Sequence, residues 1–242
     1  MNKSLVIVPT YNEKDNIQAL IESVLKHLPE SDLLIIDDSS PDGTADIVMN
    51  LQKQHGERLQ LEQREGKLGL GTAYLHGFQW AIERKYDFIF EMDADFSHDP
   101  ASLPDLLAAC DGEGYDLAIG SRYINGVNVV NWPIGRVLMS YYASAYVRLI
   151  TGMPIRDATA GFKCYRRTTL EKVLEREITF VGYAFQIEMK FRTWKYGFKI
   201  KEVPIIFRDR TMGQSKMSGK IFNEAFWGVM GMKFNSWFVK WE

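Results

Sequence analysis

The amino-acid sequence predicts an α/β domain in which helices flank a mainly parallel central sheet. Short β-type runs alternate along the first half of the chain with segments whose apolar residues recur at helical spacing. Strands separated by helices of this length form βαβ units, in which the strands run parallel. The 242 residues are 46% hydrophobic and 25% charged, which is an ordinary globular composition, and they contain no internal repeat or linker. We therefore expect one large domain.

Each element of the first half has its own signal. A β-type run at 4–8 ends at Pro9, and apolar residues recur at helical spacing over 15–27. The buried run 33–36 leads into a turn rich in Asp, Ser, Pro and Gly, after which the spacing is again helical over 44–54. The same patterns predict, in order, a strand at 59–61, a helix at 69–84, and strands at 86–92 and 115–120.

The second half of the chain is less regular. Apolar spacing predicts helices over 136–151 and 185–196, and β-type runs predict strands at 162–165 and 199–207. Pro204 lies inside the last of these runs. Because proline cannot donate a hydrogen bond to a neighbouring strand, we expect an edge strand or a bulge there.

The charge is distributed unevenly. Residues 1–189 carry 18 basic and 27 acidic side chains, whereas residues 190–242 carry 11 basic and 4 acidic ones. The C-terminal segment, residues 219–242, is also rich in Trp, Phe and Met. This composition fits an interfacial helix on an anionic membrane surface, and equally a helix that packs on its own domain or on a subunit. No uncharged apolar run approaches the roughly 20 residues of a membrane span, so we expect no span.

The two cysteines disfavour two further classes of protein. Cys110 and Cys164 form no CxxC pair, so we expect neither a disulfide scaffold nor a zinc ribbon. A reducing, cytoplasmic setting follows. The net charge is −2, and we expect no nucleic-acid partner.

Polar clusters follow three of the predicted strands. They are the segment 9–13, the pair Asp37 and Asp38, and the pair Asp93 and Asp95. Any one of them is more often a turn or a helix cap than a site. Because the carboxyl ends of parallel strands meet at one edge of a sheet, where α/β proteins bind ligands, the three together favour a site.

The spacing of Asp93 and Asp95 fits a metal ligand pair. Two carboxylates two residues apart, just past a strand, can share one Mg²⁺ or Mn²⁺ whose other ligands are substrate phosphates and water. His98 can reach the same ion or have a structural role. No GxxxxGK[ST], GxGxxG or GxSxG motif occurs, which disfavours a P-loop ATPase, a dinucleotide dehydrogenase and a serine hydrolase.

Five segments, in this order, resemble the dolichol-phosphate (polyprenol-phosphate) mannosyltransferases, which belong to the inverting family-2 glycosyltransferases. The segments are VPTYNE at 8–13, DDSSPDGT at 37–44, KLGLGTAY at 67–74, MDADFSH at 92–98 and GSRY at 120–123. The first segment and the DxD recur across family 2, whereas SSPDGT and KLGLGTAY are more specific. The resemblance covers about residues 4 to 218.

The resemblance implies a fold and a set of site residues. The fold is the GT-A fold of nucleotide-diphospho-sugar transferases over residues 1–218, followed by the C-terminal segment. The metal ligands are Asp93 and Asp95. The lipid phosphate is received by Arg122, Arg136 and Ser140, and the catalytic residues are Asp95, Arg122, Arg210 and Lys216. The nucleotide-sugar is held by Pro9, Tyr11, Glu13, Asp37, Asp38, Lys67, Asp93, Ala94, Asp95, Arg210 and Lys216.

The implied activity is the transfer of mannose from GDP-mannose to a polyprenyl phosphate at the cytoplasmic face of a membrane, with a membrane-anchoring subunit as a further partner. One alternative is a family-2 transferase with another donor, such as UDP-glucose, or with a hydroxyl acceptor. Another is a sugar-nucleotide-binding subunit of a membrane complex. The QxxRW motif of processive synthases is missing at 186–190, which disfavours a polysaccharide product.

The acceptor decides whether a base is needed. A phosphate monoester is already anionic, whereas a hydroxyl acceptor has to be deprotonated. Asp157 and Glu188 are the candidates for a general base if the acceptor is a hydroxyl.

Overall fold

The computed structural model of the chain describes residues 2–209 and 219–241. The strands are β1 (Ser4–Thr10), β2 (Asp32–Asp37), β3 (Leu59–Gln63), β4 (Phe88–Glu91), β5 (Leu117–Ser121), β6 (Val129–Val130), β7 (Lys163–Arg166), β8 (Ile200–Pro204) and β9 (Phe207–Arg208). The α-helices are α1 (Ile17–His27), α2 (Thr44–His55), α3 (Leu70–Glu83), α4 (Leu103–Asp111), α5 (Ile134–Thr151), α6 (Arg167–Leu174), α7 (Tyr183–Lys195) and α8 (Gly219–Asn235).

Seven strands form the central sheet in the order β3-β2-β1-β4-β7-β5-β8. All neighbours are parallel except β7, which runs antiparallel to both β4 and β5. The predicted α/β class with a mainly parallel sheet is confirmed. Pro204 is the last residue of β8, which lies at the edge of the sheet, as the missing N–H requires. A separate pair, β6 and β9, lies outside the main sheet.

Apolar side chains cover both faces of the sheet. Successive residues of a strand point to opposite faces, so β1 and β2 each supply two core layers. Leu5, Ile7, Leu34 and Ile36 pack under α3 and α7, and Val6, Val8, Leu33 and Ile35 pack under α1, α2 and α4. This two-sided burial explains why these strands are continuous apolar runs in the sequence.

Several elements differ from the sequence prediction. Helices α4 and α6 were not predicted, because each is short and α6 follows β7 without an intervening turn signal. The single strand predicted at 199–207 is two strands, since β8 ends at Pro204 and the chain continues to pair as β9. Helix α5 begins at Ile134, directly after Pro133, which suits the first turn of a helix.

Helix α8 packs against α5 and exposes a second face. Val229 on α8 is buried, and the Tyr146 and Phe226 rings stack with centroids 4.7 Å apart. Trp227 and Phe234 of the same helix are mostly exposed. Among the residues described, no helix is both long and apolar enough to cross a bilayer. The predicted domain boundary at 218 falls outside the described residues.

Candidate active site

Three loops meet at one edge of the sheet, as the strand pattern predicts. They follow β1, β2 and β4, which are adjacent and parallel, so their carboxyl ends lie side by side. Each loop contains a non-glycine residue with positive φ, namely Asn12 at 60°, Ser39 at 53° and Phe96 at 57°. Such backbone conformations cost about 1–3 kcal/mol each and are typical of ligand-binding sites. Their convergence makes this edge the candidate site.

Asp37 holds the loop that follows β2. It is fully buried, and its Oδ1 accepts hydrogen bonds from Thr10 Oγ1 at 2.9 Å and Ser40 Oγ at 2.6 Å. Its Oδ2 accepts the backbone N–H of Ser40 at 2.8 Å. The resemblance implied that Asp37 binds the nucleotide-sugar. In the structure it fastens the SSPDGT loop to β1.

Asp38 is joined to Arg64, which the sequence analysis missed. Arg64 Nε donates to Asp38 Oδ1 at 2.7 Å, and Asp38 Oδ2 accepts the backbone N–H of Leu68 at 3.3 Å. Arg64 Nη1 also donates to Thr72 Oγ1 at 3.0 Å. Arg64 therefore ties the DDSSPDGT and KLGLGTAY segments together. Its place directly after β3, at the same sheet edge, was the available signal.

Tyr11 and Lys67 come together from distant parts of the sequence. The Lys67 ammonium lies 4.5 Å from the centroid of the Tyr11 ring. Glu13 is half-buried, and its Oε2 accepts a hydrogen bond from Asn16 Nδ2 at 3.0 Å. Pro9 is half-buried at the end of β1. These four residues, all implied by the resemblance to hold the donor, lie at the same sheet edge, Pro9 near the end of β1 and the other three in loops.

The DxD segment is fixed by its neighbours. Tyr74 Oη donates to Asp93 Oδ1 at 3.1 Å, and the backbone N–H of Asp93 donates to His98 Nδ1 at 3.1 Å. Asp95 Oδ1 accepts the backbone N–H of Ser97 at 3.1 Å. Asp93 and Asp95 are half-buried, whereas Ala94 between them is buried. The two carboxylates are therefore held in a partly open loop.

His98 has a structural position. Its ring stacks on Phe162 with centroids 4.9 Å apart, and only 3% of the residue is exposed. Burial lowers the pKa of the imidazole, although Asp93 and Asp95 act in the opposite direction. A neutral ring suits an Nδ1 that accepts a hydrogen bond. His98 therefore supports the DxD loop.

The donor set at the DxD fits a divalent ion that a substrate completes. Within the described residues, no group of three His, Cys, Asp or Glu side chains is arranged to enclose an ion. Mg²⁺ and Mn²⁺ need no such cage, because they bind one or two carboxylates and complete their octahedral shell with phosphate oxygens and water. Asp93 and Asp95 provide such a pair.

A second cluster contains the two arginines that the resemblance assigned to the acceptor. The Trp132 ring, which the sequence analysis missed, lies between them, with its centroid 5.5 Å from Arg122 Cζ and 4.2 Å from Arg136 Cζ. Arg136 Nη1 donates to Asp209 Oδ1 at 2.7 Å. Ser140 lies four residues further on α5, on the same helix face as Arg136.

Arg122 is held in a buried ion pair with Asp157. Its Nε and Nη2 donate to the two carboxylate oxygens at 2.7 and 2.6 Å, and its backbone N–H donates to Asp157 Oδ2 at 2.9 Å. Burial alone raises the pKa of Asp157, but the Arg122 charge and hydrogen bonds outweigh it and hold that pKa below its ordinary value. Arg122 is itself only 7% exposed.

Neither candidate base is placed to take a proton from a substrate. Asp157 is fully buried beneath Arg122. Glu188 is 2% exposed, pairs with Arg192 at 2.5 Å and accepts the backbone N–H groups of Thr179 and Phe180. Both carboxylates therefore hold the fold together. Arg210 and Lys216, the predicted diphosphate ligands, lie outside the described residues.

Comparison with known proteins identifies the family of the chain. The family model for glycosyl transferase family 2 matches residues 5–174. The chain is 44% identical over 234 residues to polyprenol monophosphomannose synthase of Mycolicibacterium smegmatis, covering 95% of this chain and 88% of that protein. It is also 44% identical over 230 residues to undecaprenyl-phosphate mannosyltransferase of Micrococcus luteus, covering 93% of each.

Solved structures support the fold. Glucosyl-3-phosphoglycerate synthase from Mycobacterium tuberculosis, in complex with phosphoglyceric acid, superposes with a TM-score of 0.70 at 17% identity, over 96% of this chain and 80% of that one. The same enzyme with Mn²⁺, UDP and glucosyl-3-phosphoglycerate gives a TM-score of 0.66 at 16% identity, over 99% and 81%. The GT-A fold implied by the sequence is confirmed. The chain belongs to glycosyl transferase family 2 and, within it, to the polyprenol-phosphate mannosyltransferases.

Proposed function

We propose that the protein transfers mannose from GDP-mannose to a polyprenyl phosphate, with inversion at the anomeric carbon, and that it requires Mg²⁺ or Mn²⁺. The observation that carries the proposal is the 44% identity, along nearly the whole chain, with two proteins named for this lipid and this sugar. The arrangement of the donor loops and of the Arg122–Trp132–Arg136 cluster at one sheet edge supports it.

The donor half of the site is the set of loops after β1, β2 and β4. Tyr11 and Lys67 offer an aromatic ring and a cation to the nucleotide, and Asp93 and Asp95 are the ligands that would hold the divalent ion. When bound, the ion neutralises charge that develops on the departing diphosphate. Arg210 and Lys216 are proposed to bind the same diphosphate.

The acceptor half is the cluster around Trp132. Arginine binds phosphate oxygens through two parallel hydrogen bonds, which suits the half-buried Arg136, whereas Nε and Nη2 of Arg122 are already bonded to Asp157. Trp132 Nε1 is buried and has no hydrogen-bond partner among residues 2–209 and 219–241. Leaving such a donor unsatisfied costs about 1–3 kcal/mol. A phosphate oxygen of the acceptor would satisfy it.

The positions of Asp157 and Glu188 support a reaction without a protein base. A phosphate monoester has its second ionisation near pH ~6, so it is largely dianionic at neutral pH. One of its oxygens attacks the anomeric carbon as the bond to the GDP oxygen breaks. The products are polyprenyl phosphomannose and GDP, and no proton has to be removed.

The exposed apolar face on α5 and the end of the chain is proposed to lie on the membrane. Ile134 and Leu149 of α5 and Trp237 and Phe238 beyond α8 are each more than 60% exposed. The basic charge of the C-terminal region favours anionic headgroups. This face would hold the enzyme at the cytoplasmic surface, where a polyprenyl phosphate presents its headgroup.

Replacing Arg136 should change the KM of the acceptor and not that of the donor. Arg136→Ala is expected to raise the acceptor KM about 10-fold or more, because a hydrogen bond to a charged group is worth about 1.5–3 kcal/mol, with the donor KM nearly unchanged. Steady-state transfer to a short-chain polyprenyl phosphate measures both. Arg148→Ala removes the same charge about 18 Å along α5 and should change neither. A rise in the donor KM with an unchanged acceptor KM would contradict this role and would indicate that Arg136 acts by holding Asp209.

The membrane face is tested with vesicles. The double variant Trp237→Ser and Phe238→Ser is expected to reduce co-sedimentation with phosphatidylglycerol vesicles at least about 10-fold, since each side chain loses apolar area that lipid would cover. Binding of the unaltered protein should weaken above ~0.15 M salt. Met49→Ser, on an exposed face of α2, is the control. Unchanged sedimentation of the double variant would indicate that this face binds a protein partner, such as a membrane-anchoring subunit, and not lipid.

The donor is tested with a panel of radiolabelled sugar nucleotides. Label from GDP-mannose should enter organic-extractable lipid, and label from UDP-glucose should not. Faster transfer from UDP-glucose would favour another family-2 specificity, and nucleotide binding without transfer from any donor would favour a binding subunit.

A further inference from the structure

We propose that Tyr74 is a positioning residue that fixes the orientation of the Asp93 carboxylate and thereby sets how tightly the divalent ion is held. The proposal rests on the proposed function, in which Asp93 and Asp95 bind that ion. It assigns a role to the last residue of the KLGLGTAY segment. Elsewhere in that segment, Lys67 lies against the Tyr11 ring and the backbone N–H of Leu68 donates to Asp38.

The contact is direct, and its donor is shielded from water. Tyr74 is fully buried, and its hydroxyl donates to Asp93 Oδ1 at 3.1 Å. On the other side of the same residue, the backbone N–H of Asp93 donates to His98 Nδ1. Asp93 is therefore held at its main chain by His98 and at its carboxylate by Tyr74. The plane of the carboxylate is set before an ion arrives.

The Tyr74 ring has little freedom to turn away. It stacks on Phe185 with centroids 6.3 Å apart and an interplanar angle of 3°, and on Phe78 at 6.2 Å. Three residues later on α3, Gly77 lies so close to the sheet that a Cβ there would be 2.8 Å from side-chain atoms of Ile7 and Ile36. This close packing holds α3 against the sheet and places the Tyr74 hydroxyl at the end of β4.

The hydroxyl is the donor in this contact, because a carboxylate oxygen only accepts hydrogen bonds. The hydrogen bond is thus set by the residue types and by the packing of the ring.

Hydrogen bonds of this kind tune metal affinity. Groups that orient a metal ligand typically change affinity by about 10- to 100-fold when they are removed, because the ligand must then be ordered at the moment of binding. Tyr74→Phe removes only the hydroxyl and keeps the stacked ring. We expect the Kd for Mn²⁺ in the presence of GDP to rise by about 10- to 100-fold.

Tyr86→Phe is the matched control. Tyr86 is also buried, and its hydroxyl donates to an aspartate, Asp32 Oδ2, at 2.6 Å. Asp32 is the first residue of β2, at the opposite end of the sheet from the site. The control loses the same kind of hydrogen bond without touching the DxD loop. Its Kd for Mn²⁺ should equal that of the unaltered protein.

The experiment measures bound Mn²⁺ by electron paramagnetic resonance with GDP present, for the unaltered protein and both variants. Equal Kd values for the unaltered protein and Tyr74→Phe would overturn this inference and leave the proposed metal site unaffected. Failure of the unaltered protein to bind Mn²⁺ would contradict the proposed metal site, and the inference with it. The Mn²⁺ concentration for half-maximal transfer provides a second measure. It does not depend on the folded fraction, so it should rise in Tyr74→Phe even if that variant is less stable.

Discussion

Asp95→Asn is expected to lower the rate of mannosyl transfer by about 10²–10³-fold, the usual cost of removing a group that stabilises developing charge. The substitution keeps the size of the side chain and removes its charge. Asn Oδ1 can still accept the backbone N–H of Ser97, which Asp95 accepts at 3.1 Å, and the residue is half-buried at the site. The melting temperature should therefore stay close to that of the unaltered protein.

The control for this prediction is Asp105→Asn, which removes an exposed carboxylate from the first turn of α4. Its transfer rate should match that of the unaltered protein. Full activity of Asp95→Asn, or full activity of the unaltered protein in excess EDTA, would contradict the proposed role of the DxD pair.

Asp157→Asn is expected to lower the free energy of unfolding by about 3–5 kcal/mol, because it leaves the buried Arg122 guanidinium without its counter-charge. For a chain of this size the melting temperature should fall by roughly 6–20 °C. Urea unfolding at pH 7 measures the loss. Glu171→Gln breaks an exposed ion pair with Arg167 and should cost less than about 1 kcal/mol.

The same pair predicts a pH dependence. The folded-state pKa of Asp157 lies below its ordinary value of 3.8, so the carboxylate stabilises the fold at every pH above that value. The stabilisation is lost as the pH falls through the folded pKa. The difference in unfolding free energy between the unaltered protein and Asp157→Asn should thus be constant from pH 8 to about 5 and shrink below about 4. A difference that grew on acidification would have the wrong sign for this ion pair.

The first half of the fold could be predicted because its signals are local. β1, β2 and β4 are apolar runs closed by polar turns, and each was predicted within a few residues of its observed bounds. The insertion of β7 between β4 and β5 was not predictable from spacing. It depends on pairings such as Phe90 with Cys164, far apart in the sequence.

The candidate site was likewise predictable where its signals are local and not where they depend on distant contacts. The DxD pair and the loops after β1 and β2 were predicted because a strand end followed by polar residues is recognisable within about ten consecutive residues. Arg64, Trp132 and the contact of Tyr74 with Asp93 were missed, because the pairs Arg64–Asp38, Trp132–Arg122 and Tyr74–Asp93 are 26, 10 and 19 positions apart. Asp157 was a candidate base from its residue type alone. Only the fold shows that Arg122 covers it.

The central claim, that the acceptor is a phosphate attacked without a protein base, is tested by comparing two acceptors of equal chain length, a polyprenyl phosphate and the corresponding polyprenol. Transfer of radiolabelled mannose from GDP-mannose into organic-extractable lipid is measured for each at neutral pH. Labelled lipid is expected from the phosphate, and none above background from the alcohol. Labelling of the polyprenol at a rate comparable to that of the phosphate would contradict it.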